Sequence, residues 1–330
     1  MTIRVGLIGS GGITEVHIRG YLAIPEQVRV TAVCDIVEEN ARRRAEQVGG
    51  AAVYTDFERM VAEADIDAVD ICLPHHLHKA AIVAAAGAKK HILCEKPLCL
   101  TLEEAEAVKS AVEANNVTLM CAHNQLFMPA IQRARQLLDE NVIGKVYQIR
   151  TTDSFFNSFN KETVGWRGHR SMIGGGELID TGYHPSYLLL YLAGSAPVEV
   201  TGFLSNHRLH FLDGEDSAMV LVRFADGTIG NIMTSWAYEP PSNTEKFSLV
   251  GEKGSIYGSY SGDLFIKLRG QSEETIKFHQ VNTFVAEIAD FVMRLREQQR
   301  PIHTEVEGTE VLKIILGAYQ SEAEKRTITL

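Results

Sequence analysis

No stretch of the 330-residue sequence approaches the ~20 apolar residues that a membrane-spanning helix needs; the longest runs, such as Ala80–Ala88, stop well short. Basic charge is scarce as well: 32 Lys and Arg stand against 42 Asp and Glu, a formal net charge of −10. Without a concentrated basic stripe, neither nucleic acid nor an anionic membrane is an expected partner. Cysteines number five, an odd count with no C-x-x-C pair, which sets aside a zinc or redox motif. Cys34, Cys72, Cys94 and Cys121 lie in or at the end of apolar runs, as small buried thiols of a reducing compartment do; Cys99 does not. The opening Met1-Thr2-Ile3-Arg4-Val5 turns at once into a strand pattern and leaves no room for a signal peptide. Internal repeats and low-complexity tracts are missing. These absences lead us to expect a soluble, cytoplasmic protein.

What is present has ordinary globular composition, 45% hydrophobic and 22% charged. Its length corresponds to about two domains of ~150 residues. Over residues 1–122, apolar runs at Ile3–Ile8, Val28–Cys34, Ala68–Leu73, His91–Cys94 and Thr118–Ala122 alternate with helical patterns. Strands apolar on both faces and separated by helices predict a doubly wound parallel sheet of Rossmann type. Residues 123–330 read differently. A helix and a strand lead to Gly174-Gly175-Gly176 and another helix, after which strands follow one another from Val198 to Leu268. Such a run, with an Asp226-Gly227 hairpin signal, predicts an α+β domain with a large, mainly antiparallel sheet flanked by helices. In the strand 217–224, Ala218, Val220, Val222 and Phe224 form one apolar face, and Met219 and Leu221 make the other partly apolar. A sheet apolar on both faces needs two covers, so a homodimer or homotetramer through this sheet is expected, the alternative cover being the terminal helices.

Val5-Gly6-Leu7-Ile8-Gly9-Ser10-Gly11-Gly12-Ile13-Thr14 is a strand, a glycine-rich turn and a helix start. Gly9 permits the turn, and Gly11, with Gly12 and Ile13, brings backbone against a pyrophosphate at the positive helix end. The third glycine of the G-x-G-x-x-G pattern is replaced by Thr14. The second strand ends at Asp35, placed to bind ribose hydroxyls and to repel a 2′-phosphate, so NAD is expected over NADP. Arg42, Arg43 and Arg44 read as a solvated helix face. His17 reads as a packing residue. His75, His76 and His78 have no acidic or sulfur partner at ligand spacing, so no metal is expected.

Further motifs are Pro74-His75-His76-Leu77-His78, Glu95-Lys96-Pro97, Trp166-Arg167, and the glycine run leading to Asp180-x-x-x-His184. Val250-Gly251-Glu252-Lys253-Gly254-Ser255 and Ala318-Tyr319-Gln320-Ser321 follow. In this order and spacing the chain resembles, over essentially its whole length, the Gfo/Idh/MocA family of NAD(P)-dependent sugar and polyol oxidoreductases. The resemblance implies Lys96, Asp180 and His184 as the catalytic group and a cis Lys96–Pro97 bond. It also implies cofactor contacts from Pro74, His75, His78, Glu95, Lys96 and Asn124. The chemistry agrees: alcohol oxidation needs a base near neutral pH, which histidine supplies. On one helix, Asp180 and His184 would share a face. The Lys96 cation would stabilise developing alkoxide charge or, with its pKa lowered by burial, relay the proton, so Lys96 and His184 both stand as candidates for the immediate base.

Two segments depart from the family pattern. Asn124-Gln125-Leu126-Phe127 stands where Asn-Arg-Arg-Phe is common, and Pro185-Ser186-Tyr187 follows the histidine in place of an early acid. Loss of the arginines argues mildly against a sugar acid, although Arg167 and Arg170 remain. The expected substrate wall comprises Lys96, Phe127, Phe155, Asn157, Trp166, Arg167, Asp180, Tyr183, His184 and Tyr238. The leading reading is an NAD-dependent dehydrogenase of a sugar, glycoside or inositol-like polyol. One alternative is an NAD-dependent glycoside hydrolase acting by transient oxidation and elimination; another is a non-catalytic dinucleotide-binding regulator.

Overall fold

The computed structural model describes residues 2–330. By contacts they fall into two compact units, residues 2–124 with Asn282–Thr309, and Gln125–Val281 with Glu310–Leu330. Among the described residues, no helix is long and apolar enough to cross a membrane.

The first unit alternates β1 (Ile3–Ile8), α1 (Gly12–Leu22), β2 (Val28–Cys34), α2 (Glu38–Gln47), β3 (Ala52–Tyr54), α3 (Phe57–Glu63), β4 (Ala68–Ile71), α4 (His78–Gly87), β5 (His91–Glu95), α5 (Leu102–Asn115) and β6 (Leu119–Ala122). The strands form one parallel sheet in the order β3-β2-β1-β4-β5-β6. Helices on both faces explain why β1, β4 and β5 are largely buried and mostly apolar, with Asp70 and Glu95 the buried acids among them. The order reverses between β1 and β4, and ligands bind such sheets at the strand ends beside that point. β3 escaped the sequence reading because three residues are too few to show a period. All five cysteines are buried free thiols, Cys99 included.

The second unit runs α6 (Pro129–Asp139), β7 (Val146–Ser154), α7 (Arg170–Ile173), α8 (Glu177–Asp180), α9 (Tyr183–Ala193), β8 (Pro197–Ser205), β9 (Ser217–Phe224), β10 (Ile229–Ser235), β11 (Glu245–Gly251), β12 (Gly254–Ser259), β13 (Leu264–Leu268) and β14 (Glu274–Ile276). Then come α10 (Thr283–Glu297), α11 (Glu305–Glu324) and β15 (Ile328–Thr329). The nine-stranded sheet has the order β14-β13-β12-β11-β7-β10-β9-β8-β15 and is antiparallel except for the central β7–β10 pair. Helix α9 packs on β7 and β10, covering the face of Val220 and Ile232, both fully buried. Each large apolar side chain buried there contributes about 1.5–3 kcal/mol.

Residues 282–309, expected within the 123–330 domain, pack instead with the first unit. Helix α10 buries Ile288, Phe291 and Val292 and lies against α1. Gly20 makes the approach possible, since a Cβ there would stand 2.4 Å from Ile288 Cδ1.

On the other face of the large sheet Met219 is 51% and Leu221 47% exposed in the single chain, and Phe203, directly opposite Met219, is 69% exposed. Helix α11 does not cover them. It packs on the opposite face, where a Cβ on Gly202 would meet Ala318 O at 2.9 Å.

Candidate active site

The glycine turn after β1 is shaped by close packing. Gly9 has φ +97°, and a Cβ there would lie 2.3 Å from Cys72 O, so no other residue fits. Thr14 is buried and its Oγ1 donates to Gly9 O at 2.9 Å, which gives the residue in the third glycine's place a role of its own. At Gly11 and Gly12 an added Cβ would meet nothing within 4 Å. Bare backbone therefore faces open space at the positive end of α1, and Ser10 Oγ is buried there with no partner. Exposed N–H groups and an orphaned hydroxyl suit the pyrophosphate of a dinucleotide.

Asp35 closes the turn from β2. Its Oδ2 accepts from Ser10 N and its Oδ1 from Val37 N, each at 2.9 Å. A carboxylate offers about four lone-pair sites, so acceptors remain for ribose hydroxyls. Arg42 and Arg43 are exposed as expected, but Arg44 is buried, because it shares the inward stripe of α2 with Ala41 and Ala45. Its guanidinium donates to Gly11 O at 2.9 Å and to Gln47 Oε1 at 3.0 Å, and pairs with Glu15. It braces the phosphate turn from behind. We expect Arg44→Ala to raise the NAD dissociation constant about tenfold in calorimetric titration, as loss of a charged hydrogen bond would. An unchanged constant would show that the turn keeps its shape unaided.

Several expected cofactor residues are turned inward. His78 is fully buried, its Nδ1 2.7 Å from Pro97 O and its Nε2 2.8 Å from Leu73 O, so it ties two loops together in place of meeting a cofactor. His75 is buried beside it, the rings 5.9 Å apart. Glu95 directs its oxygens to His17 and to Lys96 N. Asn124 Nδ2 donates to Thr283 Oγ1 at 3.0 Å. Pro74 and Lys96 are half-buried, and the Lys96–Pro97 bond is cis.

In the second unit the glycine run permits close approach. A Cβ on Gly175 would overlap the Tyr319 hydroxyl, and one on Gly176 the Glu215 carbonyl. Asp180 ends α8 and His184 lies in the first turn of α9, so the single helix expected for the pair is interrupted at Thr181-Gly182. Pro185 is the cause: it has no N–H for Thr181 O, and its ring crowds that carbonyl. Gly182 N instead reaches back to Glu177 O at 2.9 Å.

Asp180 is buried and accepts from Arg167 Nε at 2.5 Å, while the Arg167 guanidinium stacks 4.4 Å over the Trp166 ring. His184 Nδ1 lies 2.8 Å from Tyr187 OH, which also accepts from Gln125 N at 3.1 Å. A further acid, overlooked in the sequence, sits at the end of β7. Asp153 binds Lys246 Nζ at 3.2 Å and Gln125 Nε2 at 3.1 Å. Burial opposes its charge, but Lys246 and His184 outweigh burial and hold its pKa below the usual carboxylate value.

Of the expected substrate wall, Phe155 and Tyr238 are exposed and Phe127, Asn157, Trp166 and Arg167 half-buried. Tyr183 is fully buried against Tyr187, so it belongs to the core and presents nothing to a substrate. A groove of about 560 Å³ is lined by Trp166, His169, Met172 and Phe211.

These features define an NAD-binding Rossmann oxidoreductase. Residues 3–123 match the family model described as "Oxidoreductase family, NAD-binding Rossmann fold", and residues 131–257 match the GFO/IDH/MocA C-terminal domain. The chain belongs to the Gfo/Idh/MocA family and is an NAD(P)-dependent dehydrogenase whose cofactor is NAD. It is 29% identical to levoglucosan dehydrogenase of Pseudarthrobacter phenanthrenivorans over 78% of this chain and 74% of that one. It is 23% identical to myo-inositol 2-dehydrogenase of Thermotoga maritima over 99% and 98%. Its fold superposes on a levoglucosan dehydrogenase solved with NADH and levoglucosan with a TM-score of 0.92, at 26% identity and covering 100% and 99% of the two chains. These relatives are named as dehydrogenases of levoglucosan and of myo-inositol.

Proposed function

We propose that the enzyme oxidises a secondary alcohol of a neutral sugar, glycoside or inositol-like polyol. The observation that carries this reading is the His184 imidazole, held by Tyr187 and accompanied by an acid, Asp153, that Lys246 keeps ionised. His184 accepts the hydroxyl proton, and Asp153 stabilises the resulting imidazolium. Asp180, fixed by Arg167, orients the substrate and the imidazole. Lys96 donates a hydrogen bond to the reacting oxygen and stabilises its developing negative charge. NAD, when bound, supplies the hydride acceptor. Gly9, Gly11, Gly12, Ile13 and Asp35 hold it, with the first unit as dinucleotide domain and the second as substrate domain. Trp166 offers a ring face to a sugar, and Phe127, Phe155, Asn157 and Tyr238 complete the wall.

Absorbance at 340 nm, followed while aglycone release is assayed on an aryl glycoside, tests the reading. The proposal expects NADH to accumulate. Aglycone release sustained by catalytic NAD, without net NADH, would favour the redox-assisted hydrolase instead.

The exposed face of Phe203, Met219 and Leu221 is the interface we propose for a homo-oligomer, since an apolar strand face left in water invites a second copy. Light scattering is expected to give a dimer or tetramer; a monomer at micromolar concentration contradicts it.

A further inference from the structure

The first unit contains a buried polar centre that the roles above leave unused. His17, on α1, is fully buried. Its Nδ1 lies 2.8 Å from Asp70 Oδ2 and its Nε2 3.2 Å from Glu95 Oε1. Tyr21 OH donates to Asp70 Oδ2 at 2.9 Å, and the Cys72 thiol donates to Oδ1 at 3.5 Å. Glu95 Oε2 accepts the backbone N–H of Lys96 at 3.0 Å. A continuous chain of hydrogen bonds therefore runs from Asp70 through His17 and Glu95 to Lys96.

The charges in this chain follow from its geometry. Ionised carboxylates only accept, so an imidazole set between two of them satisfies both only when each ring nitrogen carries a proton. Burial opposes that charge, but Asp70 outweighs it and holds the imidazole well above its usual range. Glu287, from α10, faces the same centre with neither oxygen hydrogen-bonded. Burial pushes its carboxyl well above the usual carboxylate range. Desolvation likewise pushes the Cys72 thiol up to about 12, which keeps it a donor.

His17, Asp70 and Cys72 also bring N, O and S ligand atoms within 4.8 Å of one another, as a metal site would. The two Asp70 oxygens, however, already accept from His17, Tyr21 and Cys72, and the imidazole is spent on two carboxylates. The centre is a charged hydrogen-bond clamp and not a cation site.

We propose that His17 is a positioning residue: held between Asp70 and Glu95, it fixes the carboxylate that grips the Lys96 backbone and thereby sets where the Lys96 ammonium stands. This role rests on the catalytic reading of Lys96.

The test uses the NAD-bound protein with ¹³C-methylated lysines, the Lys96 resonance being the one absent from Lys96→Ala. Asparagine at position 17 carries both of its donors on one nitrogen, so it cannot set a donor at each of the two ring positions that Asp70 and Glu95 face. In His17→Asn the Lys96 resonance is expected to move. Unmethylated enzyme is expected to lose turnover about 10²-fold, as a reacting group misplaced by an ångström does, with the NAD dissociation constant unchanged. Glu95→Gln is expected to behave alike, and the double variant to be no slower than Glu95→Gln alone. An unmoved Lys96 resonance, or losses that multiply in the double variant, would overturn the proposal. If His17→Asn fails to fold, ¹⁵N-histidine spectra of the native enzyme decide: a doubly protonated ring at pH 7 is expected, and a neutral one overturns the clamp. Lys96→Ala with full turnover would defeat the catalytic reading itself, whereas an unmoved resonance beside an inactive Lys96→Ala defeats only the positioning role.

Discussion

His184→Ala binds NAD as tightly as the native enzyme and turns over about 10²–10⁴-fold more slowly, the contribution of a positioned general base. Lys96→Ala loses about 10²–10³-fold, as when one donor to a developing oxyanion is removed. The two losses have different signatures. Without the imidazole, the hydroxyl proton has no nearby acceptor, so raising the pH restores part of the rate by populating alkoxide in solution. Without the ammonium, His184 still accepts the proton, but the charge left on oxygen is uncompensated, so added primary amines rescue and alkali does so less. Stopped-flow reduction of NAD in single turnovers reads both effects on the chemical step. Near-native turnover in either variant removes that residue from the mechanism.

Asp216→Ala unfolds at a midpoint lowered by roughly 10 °C, corresponding to about 3–5 kcal/mol. The Asp216 carboxylate, buried between β8 and β9, accepts from His207 N at 3.0 Å, Arg208 N at 2.7 Å, Leu209 N at 2.8 Å and Ser217 Oγ at 2.9 Å. Truncation leaves these donors unpaired, and a buried unpaired donor costs about 1–3 kcal/mol. Burial opposes ionisation of Asp216, but the three backbone N–H groups and the serine hydroxyl outweigh it, so its folded pKa lies below the usual value. A depressed acid contributes stability that is complete above the unfolded pKa of about 3.9 and is lost as pH falls through the folded pKa. The gap between native and Asp216→Ala midpoints is therefore constant near neutrality and closes in acid. A gap that does not change with pH would mean that the charged form earns no special stability.

How far such features show in sequence depends on the distance between partners. The turn at Gly9 and the acid at Asp35 lie in one strand-turn-helix-strand unit, and their residue types alone mark them. The break between Asp180 and His184 was legible too, since Pro185 stands next to the histidine, yet helical spacing masked it. Arg44 looked like its exposed neighbours, although the i, i+3, i+4 stripe of Ala41, Arg44 and Ala45 already pointed it inward. The centre at His17 is different. Its partners, Asp70 and Glu95, come from β4 and β5, and only the parallel strand order brings them to α1. Asp153 and Lys246 meet because β11 pairs with β7, a neighbour relation that skips three intervening strands. Tyr183 matched a pocket residue by type, but the face of α9 that carries it turns to the core.

The most direct measurement is product stoichiometry with excess NAD across a panel of neutral hexoses, anhydrosugars, glycosides and inositols. Oxidation of a secondary alcohol predicts that at least one of them yields NADH and a keto product in equal amounts, with both lost in His184→Ala. NADH formed only with sugar acids, or a glycoside consumed with no NADH, would contradict it.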